Sequence, residues 1–205
     1  MDAICDGRLA PGERLTQEDL AERLKVSRQP VLQAIALLKA QGFVEEAGRR
    51  GVRVAPVEAP QIVRLYEVRG ALDALAARLA ARDGADEARR RGPVLIEAGR
   101  AAIAAGDLGR LIGADQDFHQ LLYGLSRNPL IGESAGLHWR HIRRAMGAVL
   151  GDPAEHRLVW DEHAAILAAI ADGDEAAAES RARAHAEAAA QRLSRRIEAA
   201  AKAAA

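Results

Sequence analysis

From Gln61 onward, apolar residues recur at helical spacing, and the breaks between these runs are short: Gly84, Gly106, Asn128, "GDP" at 151–153 and "DGD" at 172–174. Gly and Asn readily end helices, and Asp caps the next one. The spacing predicts about six helices, roughly 61–83, 86–105, 107–126, 129–150, 154–172 and 174–203, with no strand pattern and no internal repeat. A stretch of this kind can bury its apolar faces only by packing helix on helix. Aromatic residues make up 3% of the chain and alanine much of its apolar fraction, which favours closely approaching helices over sheets. The alanine-rich tail carries arginines and glutamates at helical spacing and reads as one long packed helix.

The first 57 residues follow a different pattern. Thr16 caps a helix with Asp19 at its third position, and Leu20, Ala21 and Leu24 recur before the short turn "KVS". Ser27 caps a second helix that tolerates Pro30 in its first turn, turns Val31, Ala34, Ile35 and Leu38 inward, and ends at Gly42. Two β-leaning runs, "FVEE" and "VRVA", flank "AGRRG" and suit a hairpin with arginines at its tip. Helix, turn, helix and hairpin make a winged helix. The expected organisation is therefore mainly α, with a winged helix-turn-helix over 1–57 and an all-helical bundle over 58–205. "APVEAP" at 55–60 forms a short, stiff linker between them.

The whole chain is electrically balanced, with 29 basic and 29 acidic residues, so any affinity for a polyanion has to come from local patterning. Between Arg23 and Lys39 the sequence holds Arg23, Lys25, Arg28 and Lys39 and no acidic residue, and the hairpin adds Arg49, Arg50 and Arg53. A positive second helix and wing would meet phosphates and base edges in the major groove. The candidate DNA-contacting residues are Arg23, Lys25, Ser27, Arg28, Gln29, Arg49 and Arg50, with Arg28 the leading base reader. The single Cys5 excludes an intrachain disulfide framework. No apolar run is long enough for a membrane span or a secretory signal, so the expected location is the cytoplasm.

The run "LAPGERLTQEDLAERLKVSRQPVLQAIALLKAQGFVEEAGRRGVRVAPV" resembles the DNA-binding domain of GntR-family bacterial transcription regulators. The carriers are the proline-glycine before the first full helix, the "SR.PV" opening of the recognition helix and the "G..V" of the wing. The remainder is similar to the helical ligand-binding domain of the FadR-like branch, called FCD. Family members usually carry another turn or two of helix before the equivalent of Ile4. They also usually continue "VREAL" where this chain reads "VLQAI". Leu32 thus replaces an arginine that reaches DNA, and a leucine can touch a thymine methyl but donates no hydrogen bond. The resemblance implies a ligand-responsive regulator, a repressor in most relatives, that binds an inverted-repeat operator as a homodimer.

In the helical part, Asp115 and His119 lie one turn apart on the apolar stripe formed with Leu108, Leu111 and Leu122. A buried histidine bonded to a carboxylate is the commoner explanation of such a pair. Two further histidines have similar settings: His163 leads the stripe Ile166, Leu167 and Ile170, and His185 lies on the last helix. A carboxylate and three imidazoles buried among leucines are costly unless a divalent cation or an equivalent partner satisfies them. The FCD resemblance covers these positions as "DQDFH", "EH..I" and a histidine 22 positions later. It implies a metal held by Asp115, His119, His163 and His185. The ligands suit Zn, Ni, Mn or Fe. His138, His141 and His156 match no ligand position and read as surface or interhelical residues.

A metal with open positions serves catalysis as well as binding. The sequence contains no Glu-x-x-His pair, no His-Glu-x-x-His and no separate nucleophile and base, so a metal-dependent hydrolase is disfavoured. A regulator with a metal-free interaction domain is the other alternative. In the regulator reading the pocket binds a small organic acid, for which Arg69 and Arg143 are candidate partners through planar paired hydrogen bonds. Either arginine could equally form a surface ion pair.

Overall fold

The computed structural model describes residues 1–5, 7–48, 51–149 and 152–203. The chain divides into two compact units, Met1–Val57 and Glu58–Ala205.

In the first unit, α1 (Asp2–Cys5) precedes β1 (Arg14–Thr16), α2 (Gln17–Leu24), α3 (Arg28–Ala40), β2 (Val44–Glu46) and β3 (Gly51–Val54). Thr16 caps α2 by accepting the Asp19 N–H at 3.1 Å. Lys25 ends the helix with a left-handed φ of 53°, which tightens the turn into α3. Ser27 occupies the N-cap position of α3, but its side chain makes no cap hydrogen bond. The expected hairpin forms between β2 and β3, and β1 adds a third antiparallel strand to give the order β1-β3-β2. Val31 and Ile35 of α3 join Leu15, Phe43, Val52 and Val54 in the core. Ala34, expected to face inward, is exposed, and so is Leu24, because each short helix covers the small sheet with one narrow face. Arg49 and Arg50, expected at the hairpin tip, lie outside the described residues.

The second unit is built from α4 (Ala59–Asp83), α5 (Ala85–Ala105), α6 (Leu108–Leu125), α7 (Pro129–Val149), α8 (Pro153–Ala171) and α9 (Glu175–Ala203). α4 begins inside the expected linker, with Pro60 in its first turn, where its missing N–H costs nothing. The segment outside secondary structure is thus 55–58. Asp107 and Asp152 cap α6 and α8 through their side chains. The most extensive helix contact is α4 with α9. It relies on small residues: a Cβ added at Gly70 would sit 3.3 Å from Ala186 Cβ, and Ala74, Ala77, Ala178, Ala182 and Ala186 are fully buried. These alanines let the two longest helices approach closely and bring their polar side chains within reach of α6 and α8. Among the described residues, no helix is long and apolar enough to cross a membrane.

Candidate metal centre

Three helices of the second unit direct the predicted ligand side chains into its core. α6 supplies Asp115 and His119, α8 supplies His163, and α9 supplies His185; their exposures are 5%, 1%, 0% and 4%. One ring nitrogen from each histidine lies within 4.8 Å of the others. His163 Nε2 is 3.2 Å from His185 Nε2 and 3.6 Å from Asp115 Oδ1. The structure thus brings together all four residues named from the sequence. Burial pushes the Asp115 carboxyl up from its ordinary range and holds His119 and His163 well below theirs, the latter two also opposed by neighbouring cationic groups.

One imidazole is hydrogen-bonded to a carboxylate, and a second has a carboxylate nearby. His185 donates from Nδ1 to Glu162 Oε2 at 2.7 Å, which fixes its tautomer and leaves Nε2 as a lone pair facing the cluster. Glu162 in turn accepts both Nη groups of Arg192 at 2.9 and 2.8 Å. Burial would raise the Glu162 carboxyl, but the hydrogen bonds from His185 and Arg192 and the Arg192 charge outweigh it and hold it below the usual carboxylate range. At His119, Arg69 Nη2 meets Nε2. A guanidinium only donates, so Nε2 holds a lone pair and the ring proton sits on Nδ1, 3.4 Å from Asp73 Oδ2. Both His119 Nδ1 and His163 Nδ1 are buried without a hydrogen bond among the described residues.

Arg69 is therefore not a surface ion-pair residue. It is 3% exposed and also donates to Asp73 Oδ2 and Tyr66 Oη, each at 3.2 Å. Tyr123 donates to the other Asp73 oxygen at 2.6 Å. Arg143 is half-buried on α7 and is not among the described residues lining the adjoining cavity. That cavity, about 50 Å³, reaches from Arg69, Asp115 and His185 to His156 and Arg196. His156, expected at the surface or between helices, thus lines it, with Nε2 buried and lacking a hydrogen bond.

The sequence reading missed Tyr66, Asp73, Tyr123, Glu162 and Arg192. Some local signal existed: Asp73 follows Arg69 by one turn, Glu162 adjoins His163, and Arg192 lies two turns beyond His185 on the same face. Three imidazoles and a carboxylate, with one ring hydrogen-bonded to a backing carboxylate, form a donor set suited to a borderline divalent cation. The residues fit such an ion on one condition: His119 Nε2 cannot hold an ion and the Arg69 hydrogen bond together.

On the DNA-facing candidates, Arg28 of α3 lies 3.5 Å from Glu18 of α2, both well exposed, which is a weak pairing that a phosphate or base can replace. Lys39 pairs with Glu46 at 2.6 Å and Arg53 with Glu45 at 2.7 Å, so two of the basic residues counted from the sequence are compensated within the unit. Leu32 is 40% exposed.

Comparison with known proteins agrees with this architecture. Residues 1–54 match the bacterial regulatory proteins of the gntR family, and residues 64–188 match the FCD domain. The Nta operon transcriptional regulator of Aminobacter aminovorans is 33% identical over 167 residues, covering 80% of this chain and 77% of that protein. The regulator LutR of Bacillus subtilis is 29% identical over 211 residues, covering 89% and 92%. The structure of Escherichia coli McbR/YncC superimposes with a TM-score of 0.77 at 23% identity, over 94% of this chain and 92% of that one, which supports the fold. These relatives are named as transcriptional regulators. The chain belongs to the GntR family of DNA-binding transcriptional regulators, with an FCD domain as its helical unit.

Proposed function

We propose that this regulator is a repressor that binds an inverted-repeat operator as a homodimer and senses a small carboxylate through a divalent metal held by Asp115, His119, His163 and His185. The observation that carries the sensing half is the convergence of three buried imidazole nitrogens within 4.8 Å. A bound divalent ion would supply a Lewis-acidic anchor for a carboxylate oxygen. Glu162 orients His185, and Asp73 holds Arg69 and accepts from Tyr123. With His119 committed to the ion, the Nη2 group of Arg69 becomes available to an anionic effector.

On the DNA side, Arg28, Arg23, Lys25, Ser27 and Gln29 around the start of α3 meet base edges and phosphates, while Arg49 and Arg50 bind phosphates from the wing. A two-fold dimer presents two such helices to two half-sites. The link at 55–58 is short, so ligand binding in the helical unit biases the arrangement of the winged helices and weakens operator binding. Selection of bound genomic fragments supplies the operator. Operator affinity is then measured for metal-loaded and chelator-treated protein, with a change of roughly five- to 150-fold expected. Equal affinity in the two states contradicts the coupling of the metal centre to DNA.

A further inference from the structure

We infer that the cavity beside the histidines takes a monocarboxylate with a compact apolar body, an acid of about four to six carbons, in preference to a polyhydroxylated or dicarboxylic acid. This rests on the metal centre proposed above.

The order of residues along two helices gives the cavity its polarity. His163 meets His185, and Glu155 meets Arg196 at 2.9 Å, so α8 and α9 pass each other antiparallel. Val159 of α8 and Ala189 and Leu193 of α9 fall between those two ends and line the cavity, together with Met146 of α7; of the polar residues in the same span, Arg192 is held by Glu162 and His156 sits next to Glu155 at the far end. The middle of the cavity is thus mainly apolar. A sugar acid would place its hydroxyls against these side chains without partners, and an unpaired hydroxyl costs more than a buried methylene contributes.

Size sets a limit as well. The cavity measures about 50 Å³. At roughly 10–15 Å³ per water-sized occupant, each with about 30 Å³ of liquid volume, it takes roughly 100 to 150 Å³ of molecule. Charge restricts the head group. The cations lining the cavity are each matched by a carboxylate: Arg69 by Asp73, Arg192 by Glu162 and Arg196 by Glu155, with the more exposed Asp152 also 3.9 Å from Arg196 outside the cavity lining. Asp115 is left over as one negative charge. With neutral imidazoles, a divalent cation turns this into one positive charge in excess, which a single carboxylate cancels and a dicarboxylate overshoots.

The test is calorimetric titration of the full-length protein, loaded with Zn(II) or Ni(II) and its metal content measured, against propanoate, butanoate, pentanoate, gluconate and glutarate. Affinity is expected to rise about fourfold per methylene from propanoate to pentanoate, with gluconate and glutarate roughly tenfold or more weaker than pentanoate. Val159→Thr, nearly isosteric, should flatten the methylene series while keeping its metal. A flat series in the wild type, or tighter binding of gluconate or glutarate to metal-loaded protein, overturns the ligand class and leaves the metal centre standing. A protein that takes up no metal overturns the centre itself, and the single-carboxylate charge match falls with it.

Discussion

Glu162 accepts the Nδ1 hydrogen of His185 at 2.7 Å, and this one bond decides which nitrogen of His185 faces the other two imidazoles. The carboxylate is held in turn by both Nη groups of Arg192, so the orientation of a buried ring depends on a residue two turns further along its own helix. Glu162→Gln keeps the shape but accepts more weakly and loses the charge that makes the ring a better ligand. Metal affinity should fall about 10- to 100-fold, read by competition against a chromophoric chelator, with little change in helix content.

Arg69 and Asp73 form an ion pair exposed by only 4% and 1% of their side chains. Removing one partner leaves the other charge buried and uncompensated. Arg69→Ala should therefore cost about 3–5 kcal/mol in denaturant unfolding of metal-free protein. The double variant Arg69→Met with Asp73→Leu should recover much of that loss, because both charges are gone. If the double variant were as unstable as the sum of the single variants, the pair would not be coupled.

Gly99 of α5 faces the indole of Trp160, a fully buried residue of α8. A Cβ at this position would overlap the ring. Trp160 also packs edge-on against His163, with ring centroids 4.9 Å apart, so a displaced indole pushes on the metal cluster. Gly99→Ala should destabilise by about 1–3 kcal/mol, which a thermal melt would show as a drop of roughly 2–12 °C, and it should weaken metal binding as well.

On DNA, Arg28→Ala should abolish discrimination between operator and random sequence. Arg49→Ala or Arg50→Ala should weaken both alike and lower the salt slope by about one. Mobility-shift titrations at several salt concentrations separate the two classes. Normal operator binding by Arg28→Ala would mean that α3 meets the groove in another orientation. The exposure of Leu32 at the start of this helix predicts that Leu32→Arg changes which bases are preferred at one position in each half-site.

The six helices of the second unit were legible because their breaks are local events: a glycine, an asparagine or an aspartate interrupts the apolar period wherever a helix ends. Strand β1 was not. Three residues are too few for alternation to register, and only Leu15 among them is buried, against a strand nearly forty positions later. The same division holds at the site. His119 and His163 stand out because one lies on an apolar stripe of its helix and the other leads one, and His185 because the FCD resemblance marks its position. Asp73 and Arg192 do not, since their roles depend on α4 lying against α6 and α9 beside α8. Which helices pair is not written in the spacing around Asp73 or Arg192 themselves.

The most direct test of the account is the metal content of the purified protein, prepared without chelators and measured by elemental analysis alongside His163→Ala and His138→Ala. The account predicts close to one divalent ion per chain in the wild type and in His138→Ala, loss of most of it in His163→Ala, and a lower melting temperature once a chelator removes the ion, because the ion binds only the folded form. A wild-type chain that holds no divalent ion, or a His163→Ala chain that holds as much as the wild type, would contradict it.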